Sequence, residues 1–155
     1  MKRRTMLGAA LALPALTARA HHGWSSFDQE RPIYLEGRVT SVRWQNPHAE
    51  LDLELAPGLR LPADLASRAL PPQSAQVDGK ALLTRAQLPT RKDRTWEIEL
   101  APLTRLQAWR VAEIKPGTQI SVLGFTLVGE KGEAVLRAEY LFVDGKVYGL
   151  RSSPA

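Results

Sequence analysis

The sequence predicts an all-β domain with one short helix, a small five-stranded Greek-key barrel of the OB type. Three observations predict it. Apolar and polar residues alternate with a period of two in short stretches, the pattern of half-buried strands. The elements follow the order β-β-β-α-β-β. A glycine interrupts the first strand, the kind of bend a small barrel needs in order to curl. That order, with the helix between strands three and four, matches an OB-fold. A two-sheet sandwich usually needs more strands.

The first strand is expected over residues 32–44. Ile33, Leu35, Gly37 and Val39 alternate with Tyr34, Glu36, Arg38 and Thr40, and the alternation shifts near Val42, as at a bulge. Asn46-Pro47 is a turn signal. Residues 48–55 form the second strand, with Leu51, Leu53 and Leu55 on one face and Glu50, Asp52 and Glu54 on the other. Residues 94–100 form the third, with Trp96, Ile98 and Leu100 inward and Glu97 and Glu99 outward. Pro102 suits the first turn of a helix, and Leu103, Leu106 and Trp109 or Arg110 follow at helical spacing. Lys115-Pro116-Gly117 stops that helix. Residues 118–128 are apolar on both faces and make a central fourth strand. Gly129 to Gly132 connects it to a fifth at 134–143. Asp144-Gly145 then turns the chain into a last short strand at 147–150.

Residues 56–93 break this rhythm with Pro57-Gly58, Pro71-Pro72, Asp78-Gly79 and Pro89. Ala63 to Leu70 could make two helical turns. A loop this long is uncommon in a compact domain. The plain expectation is an ornamental or partly disordered insertion, and the sharper one is a lid over a site.

The N-terminal segment reads as an export signal over residues 1–20. Lys2, Arg3 and Arg4 are its positive end, Met6 to Leu16 its apolar run, and Ala18-Arg19-Ala20 its small-x-small cleavage site. Arg3-Arg4-Thr5-Met6-Leu7 loosely resembles a twin-arginine signal. The expected product is periplasmic or secreted, with an arm at 21–31, a barrel at 32–150 carrying the insertion, and a tail at 151–155. No membrane span remains, because the apolar run falls short of the ~20 residues a bilayer needs. The full chain has 21 Lys and Arg against 16 Asp and Glu. Without the signal's four basic residues it is nearly neutral, which gives no support to nucleic-acid binding. Both methionines, Met1 and Met6, lie in the signal and there is no cysteine, so no disulfide and no sulfur ligand is available.

The chain resembles DUF6152, a family of small exported bacterial proteins of unknown function. The residues that carry the resemblance are His21-His22 after the cleavage site, Phe27-Asp28, Leu35-x-Gly37-x-Val39 and Trp44-x-Asn46-Pro47-His48-Ala49. Trp96-x-Ile98-Glu99, Ala101-Pro102, Lys115-Pro116-Gly117 and Asp144-Gly145 also fit. The insertion at 56–93, the helix after Pro102 and the hairpin at Gly129 depart from the pattern. The resemblance implies a fold and a location, with no activity attached.

Three histidines remain as the strong soft-metal donors: His21, His22 and His48. Cleavage after Ala20 would make His21 the N-terminus, so that its amine and ring could chelate one ion in the manner of a histidine brace. His22 or His48 would complete the set, with Asp28 as a possible oxygen ligand. Imidazole nitrogen favours copper(II) or zinc, and copper is the first choice, zinc the second. The competing reading is two solvated histidines at a processed end and a turn histidine bonded to backbone. A metal-independent binding module is a separate alternative, taking a peptide, an oligosaccharide or a periplasmic protein partner on Trp44, Trp96, Trp109 and Tyr140. An enzyme is not expected. There is no cysteine nucleophile, and the acids Glu50, Asp52 and Glu54 read as a solvated face.

Overall fold

The computed structural model describes residues 22–155. Residues 1–20, expected to be an export signal, and His21 therefore lie outside the described residues. The strands are β1 (Ile33–Arg43), β2 (Glu50–Leu55), β3 (Thr95–Glu99), β4 (Gln119–Thr126), β5 (Val135–Val143) and β6 (Lys146–Gly149). They form one sheet in the order β3-β2-β1-β4-β5-β6, and β3 also pairs with β5. That parallel pairing joins Glu97, Ile98 and Glu99 to Val135, Leu136 and Arg137, and it closes a five-stranded barrel. The expected order and closure are those found, which excludes a two-sheet sandwich.

Alternation sets the interior. Ile33, Leu35, Val39, Leu51, Leu53, Trp96 and Ile98 are all fully buried in the barrel core. The sheet curls where two glycines let backbones approach. A Cβ on Gly37 would lie 2.0 Å from the Glu54 carbonyl oxygen, and one on Gly124 would lie 2.1 Å from that of Arg137. Each sits beside an irregularity. The β1–β2 register slips between Val39 and Ser41, making Thr40 the extra residue. The β4–β5 register slips at Leu123/Gly124, leaving Glu139 between Ala138 and Tyr140. Such bulges sharpen strand twist. Asp144 and Gly145 both have positive φ, 52° and 71°, as a two-residue hairpin turn of this hand requires.

The insertion differs from expectation. It holds two short elements: a 3-10 turn at Leu65–Ser67, where two helical turns were expected, and a helix, α1 (Gly79–Thr84). Asp78 accepts from the Ala81 N–H at 3.0 Å, so Asp78-Gly79 starts a helix here and is not a plain turn. With the expected helix after Pro102, α2 (Leu103–Ala108), the domain has two short helices rather than one. Nor is the insertion ornament. Leu65, Leu82, Leu83 and Ala86 pack with Tyr34, Leu123, Phe125, Tyr140 and Phe142 from the outer faces of β1, β4 and β5, making a second apolar layer. Tyr34, expected on a half-solvated face, is fully buried there. Burial first, and then its hydrogen bond to Glu36, push its phenol up to about 12.

Glu130 fastens the end of the insertion to the barrel. Its carboxylate accepts from the N–H groups of Thr90 and Arg91 and from the Arg31 guanidinium. Burial works against its charge, but these donors outweigh burial and hold the carboxyl below the ordinary range. The tail is also tied in. Gln73 forms a bridge with Pro154 and accepts from the Ser152 N–H at 3.1 Å. Among the described residues, no helix is long and apolar enough to cross a membrane.

Candidate functional site

The outer face of β2 and β3 carries a group of acids. Glu50 lies opposite Glu99, and Asp52 opposite Glu97. Opposite residues of an antiparallel pair share a face, so four carboxylates line one surface. It is not the freely solvated row that the sequence suggested. The Arg43 guanidinium reaches Glu50 at 2.6 Å, Glu97 at 3.4 Å and Asp52 at 3.9 Å. Glu99, expected outward and wet, is buried to 3% exposure against Arg137, itself 4% exposed. Arg137 Nε and Nη2 both donate to Glu99 Oε2, at 2.8 and 2.6 Å.

His48 lies at one end of this face. Ala49 already behaves as strand. It is fully buried, its N–H donates to the Ala101 carbonyl at 3.0 Å, and its carbonyl accepts from Leu100 at 2.8 Å. Alternation then sets half-buried His48 on the outer side with Glu50. The turn before it is fixed by Asn46, whose Oδ1 accepts from the Leu103 N–H at 3.0 Å in the first turn of α2. The Asn46-Pro47 peptide is cis.

The arm approaches the same face from β5. Arg137 Nη2 also donates to the His22 carbonyl, at 2.6 Å. Its guanidinium carbon lies over the rings of Trp24 and Phe27, 5.0 and 4.8 Å from their centroids. Arg151 lies over Trp24 as well, at 3.9 Å, and gives two hydrogen bonds to Glu139 Oε2, at 2.8 and 2.7 Å. Glu139 is fully buried, and burial pushes its carboxyl up despite Arg151. Further along, the Asp28 N–H donates to the Thr126 carbonyl at 2.9 Å. The stretch 22–28 is thus docked along its length.

These positions can be set against the donors expected from sequence. His21 lies outside the described residues. His22 is half-buried, with its ring edge-on to Phe27 at 6.1 Å. Asp28 Oδ1 accepts from the Glu30 N–H at 3.2 Å, a local turn contact. Among the described residues, no three His, Asp or Glu side chains come together as a metal-binding group. Two of the proposed aromatic contacts are corrected. Trp96 is fully buried in the barrel and Tyr140 is buried under the insertion, so neither offers a surface. Trp44 and Trp109 pack partly buried against the core, and Trp109 Nε1 donates to the Ser152 carbonyl at 2.8 Å.

Sequence reasoning missed Arg137, Glu99, Arg151 and Glu139. For Arg137 and Glu139 the only signal was charge inside an otherwise apolar strand segment, Val135-Leu136-Arg137-Ala138-Glu139-Tyr140. A separate cleft of about 470 Å³ opens where the insertion meets the β5–β6 hairpin, with Phe142, Arg68, Glu36 and Lys146 among its walls. No curated protein and no solved structure matches the chain. The family match ends before β3, so Trp96-x-Ile98-Glu99, Lys115-Pro116-Gly117 and Asp144-Gly145 lie beyond it. What matches is the stretch holding all three histidines and the first two strands: residues 10–58 fit the model of DUF6152, a family of unknown function.

Proposed function

We propose that the protein is a small exported, periplasmic binding protein that takes copper(II) through His21, His22 and His48, with zinc as the second choice and no catalytic role. One observation carries this reading. Arg137 joins the His22 carbonyl to Glu99, Glu99 lies opposite Glu50, and Glu50 is two residues from His48. The start of the arm and the His48 turn therefore border one surface. The described donors make no metal set by themselves, so the reading requires His21, one peptide unit ahead of the anchored His22. Its amine and ring would supply two donors from a single residue.

The charge of the face supports a cationic ligand. OB-folds use the outer face of strands two and three with the adjoining loops as a binding surface. Here Glu50, Asp52, Glu97 and Glu99 outnumber Arg43 and Arg137. A polyanion is disfavoured on such a face, which argues against nucleic acid. The lack of Met and Cys after residue 20 suits copper(II) better than copper(I).

Copper(II) added to protein beginning at His21 is expected to quench tryptophan fluorescence at about one equivalent. Affinity should rise with pH, because the metal must displace the protons of its nitrogen donors. An added N-terminal Gly-Ser should weaken binding strongly, and tight binding indifferent to it rules out the brace. Binding no better than that of a His21→Ala/His22→Ala/His48→Ala protein rules out the metal reading.

The cleft beside Phe142 favours a second reading, a metal-independent module for a small ligand or peptide. Its volume is in the range of ligand sites. Thermal-shift screening with and without chelator separates the two, since only a metal-independent ligand stabilises equally in both.

A further inference from the structure

We infer that the cleft beside Phe142 is a site for a neutral saccharide, lying across the outer face of β1, β4, β5 and β6. This rests on the metal-independent reading and gives its ligand a chemistry. The floor of the cleft is one row of side chains. Glu36 lies opposite Ser121, Ser121 opposite Phe142, and Phe142 opposite Val147. Opposite residues share a face. The row therefore sets an acid, a hydroxyl, an aromatic ring and an aliphatic chain across four strands, about 14 Å at the usual strand spacing. The neighbouring row, Tyr34, Leu123 and Tyr140, is the one the insertion seals. Arg68 marks the edge of that cover, with its guanidinium carbon 5.0 Å from the Phe142 ring centroid.

The polar groups around this floor are already held, so a ligand need not order them. The fully buried Tyr34 donates its hydroxyl to Glu36 Oε2. Ser121, only 9% exposed, sits at the base of the cleft. Asp64 accepts from Arg68 Nε and Nη2, at 3.1 and 3.3 Å, and a guanidinium with five N–H donors has more to give. Charge then selects the ligand. Glu36 and Asp144 share the walls with Arg68 and Lys146, so an anion or a cation meets repulsion as well as attraction. A neutral sugar avoids this, and each of its hydroxyls both donates and accepts. Its C–H face suits Phe142 and Val147. The volume, about 470 Å³, is that of a small-ligand site. A peptide is less suited. Sheets take up peptides by pairing along an edge strand, whereas β1, β4 and β5 are each paired on both sides and offer only side chains here.

The test follows the backbone amide NMR spectrum of the protein, with chelator present, against a panel of neutral di- and trisaccharides of hexoses and N-acetylhexosamines. Digalacturonate, deacetylated chitobiose and tetra-alanine serve as the anionic, cationic and peptide controls. At least one neutral saccharide is expected to give saturable shifts at Ser121 and over residues 142–147, and the controls none. Arg68→Ala should weaken that binding at least about tenfold, as loss of a hydrogen bond from a charged group does. Lys146→Ala removes an exposed side chain beside the hairpin turn, and should weaken binding too if Arg68→Ala disturbs the insertion.

Saccharide shifts confined to β2 and β3, or affinity unchanged in both variants, overturn the inference. So does a control that binds the cleft as well as any saccharide does. Absence of any saccharide shift overturns it whatever else binds. The metal-independent reading falls with it only when the thermal-shift screen in chelator also finds no ligand, so the two failures are told apart.

Discussion

The barrel has two kinds of outer wall, and alternation alone does not tell them apart. On β2 and β3 the outward positions are Glu50, Asp52, Glu97 and Glu99. On β1, β4 and β5 they include Tyr34, Leu123, Phe125, Tyr140 and Phe142. The first wall is covered by its own partners, the Arg43 guanidinium over Glu50 and Glu97 and Arg137 against Glu99. The second is sealed by the insertion and by Phe27, with Trp24 packed at its border. The lesson is that the inward positions of a barrel report only its closure, while the outward positions report what else the chain must bring. An aromatic row outside a closed barrel needs a second layer, and residues 56–93 supply most of it. Arg137 sits at the seam, with its carboxylate partner on the acidic wall and its aromatic partners in the arm.

The largest expected effect lies on the sealed wall. Phe125 is 1% exposed, and its ring meets Trp24 edge-on at 6.3 Å. Phe125→Ala should cost about 3–5 kcal/mol, the usual range for an aromatic truncated in a core. Urea unfolding reads this directly. A cost below about 1 kcal/mol would mean that the outer layer is loosely packed and does not act as a core.

A smaller effect is expected where the insertion's end is fastened. Glu130→Gln removes a charge held by the Thr90 and Arg91 N–H groups and by Arg31. Hydrogen bonds to a charged group contribute about 1.5–3 kcal/mol, so a loss of that order is expected at neutral pH. The sign of the pH dependence follows from the lowered carboxyl. Its contribution is present above the unfolded-state pKa, about 4.3, and is lost as pH falls through the lower folded value. The gap between parent and Glu130→Gln should therefore close on the acid side. A gap constant from pH 7 down to pH 3 would contradict the assignment.

The barrel was legible because its signals are local. Ile33, Leu35, Val39, Leu51, Leu53, Trp96 and Ile98 announce the interior by alternation, and Asp144-Gly145 announces its own turn. The sealed wall was not legible for a matching reason. Tyr34 finds its cover in Leu65, Leu82 and Leu83, about thirty to fifty positions on, and α1 has only six residues, too few to show a helical period. Residues 56–93 therefore looked like ornament.

The site divides in the same way. The three histidines stood out by residue type. The groups that fix the arm did not, because Glu99 and Arg137 are 38 positions apart, and a charge on a strand looks the same whether it is solvated or buried against a partner.

The smallest expected effect tests the acidic wall, at the edge away from His48. Glu54 lies opposite Thr95, on the same wall as Glu50 and Asp52. Its carboxylate meets Arg38 at 3.2 Å and Arg94 at 3.8 Å, with the side chain 39% exposed. Solvated pairs of this kind contribute about 0–1 kcal/mol. Glu54→Ala should therefore shift the urea midpoint only slightly, against the large loss from Phe125→Ala at an equally outward position. It should also leave copper affinity unchanged, because it lies at the far end of β2 from His48. A loss of stability like that of Phe125→Ala would erase the distinction between the two walls. A large loss of affinity would extend the proposed copper site along β2 and move it away from the arm.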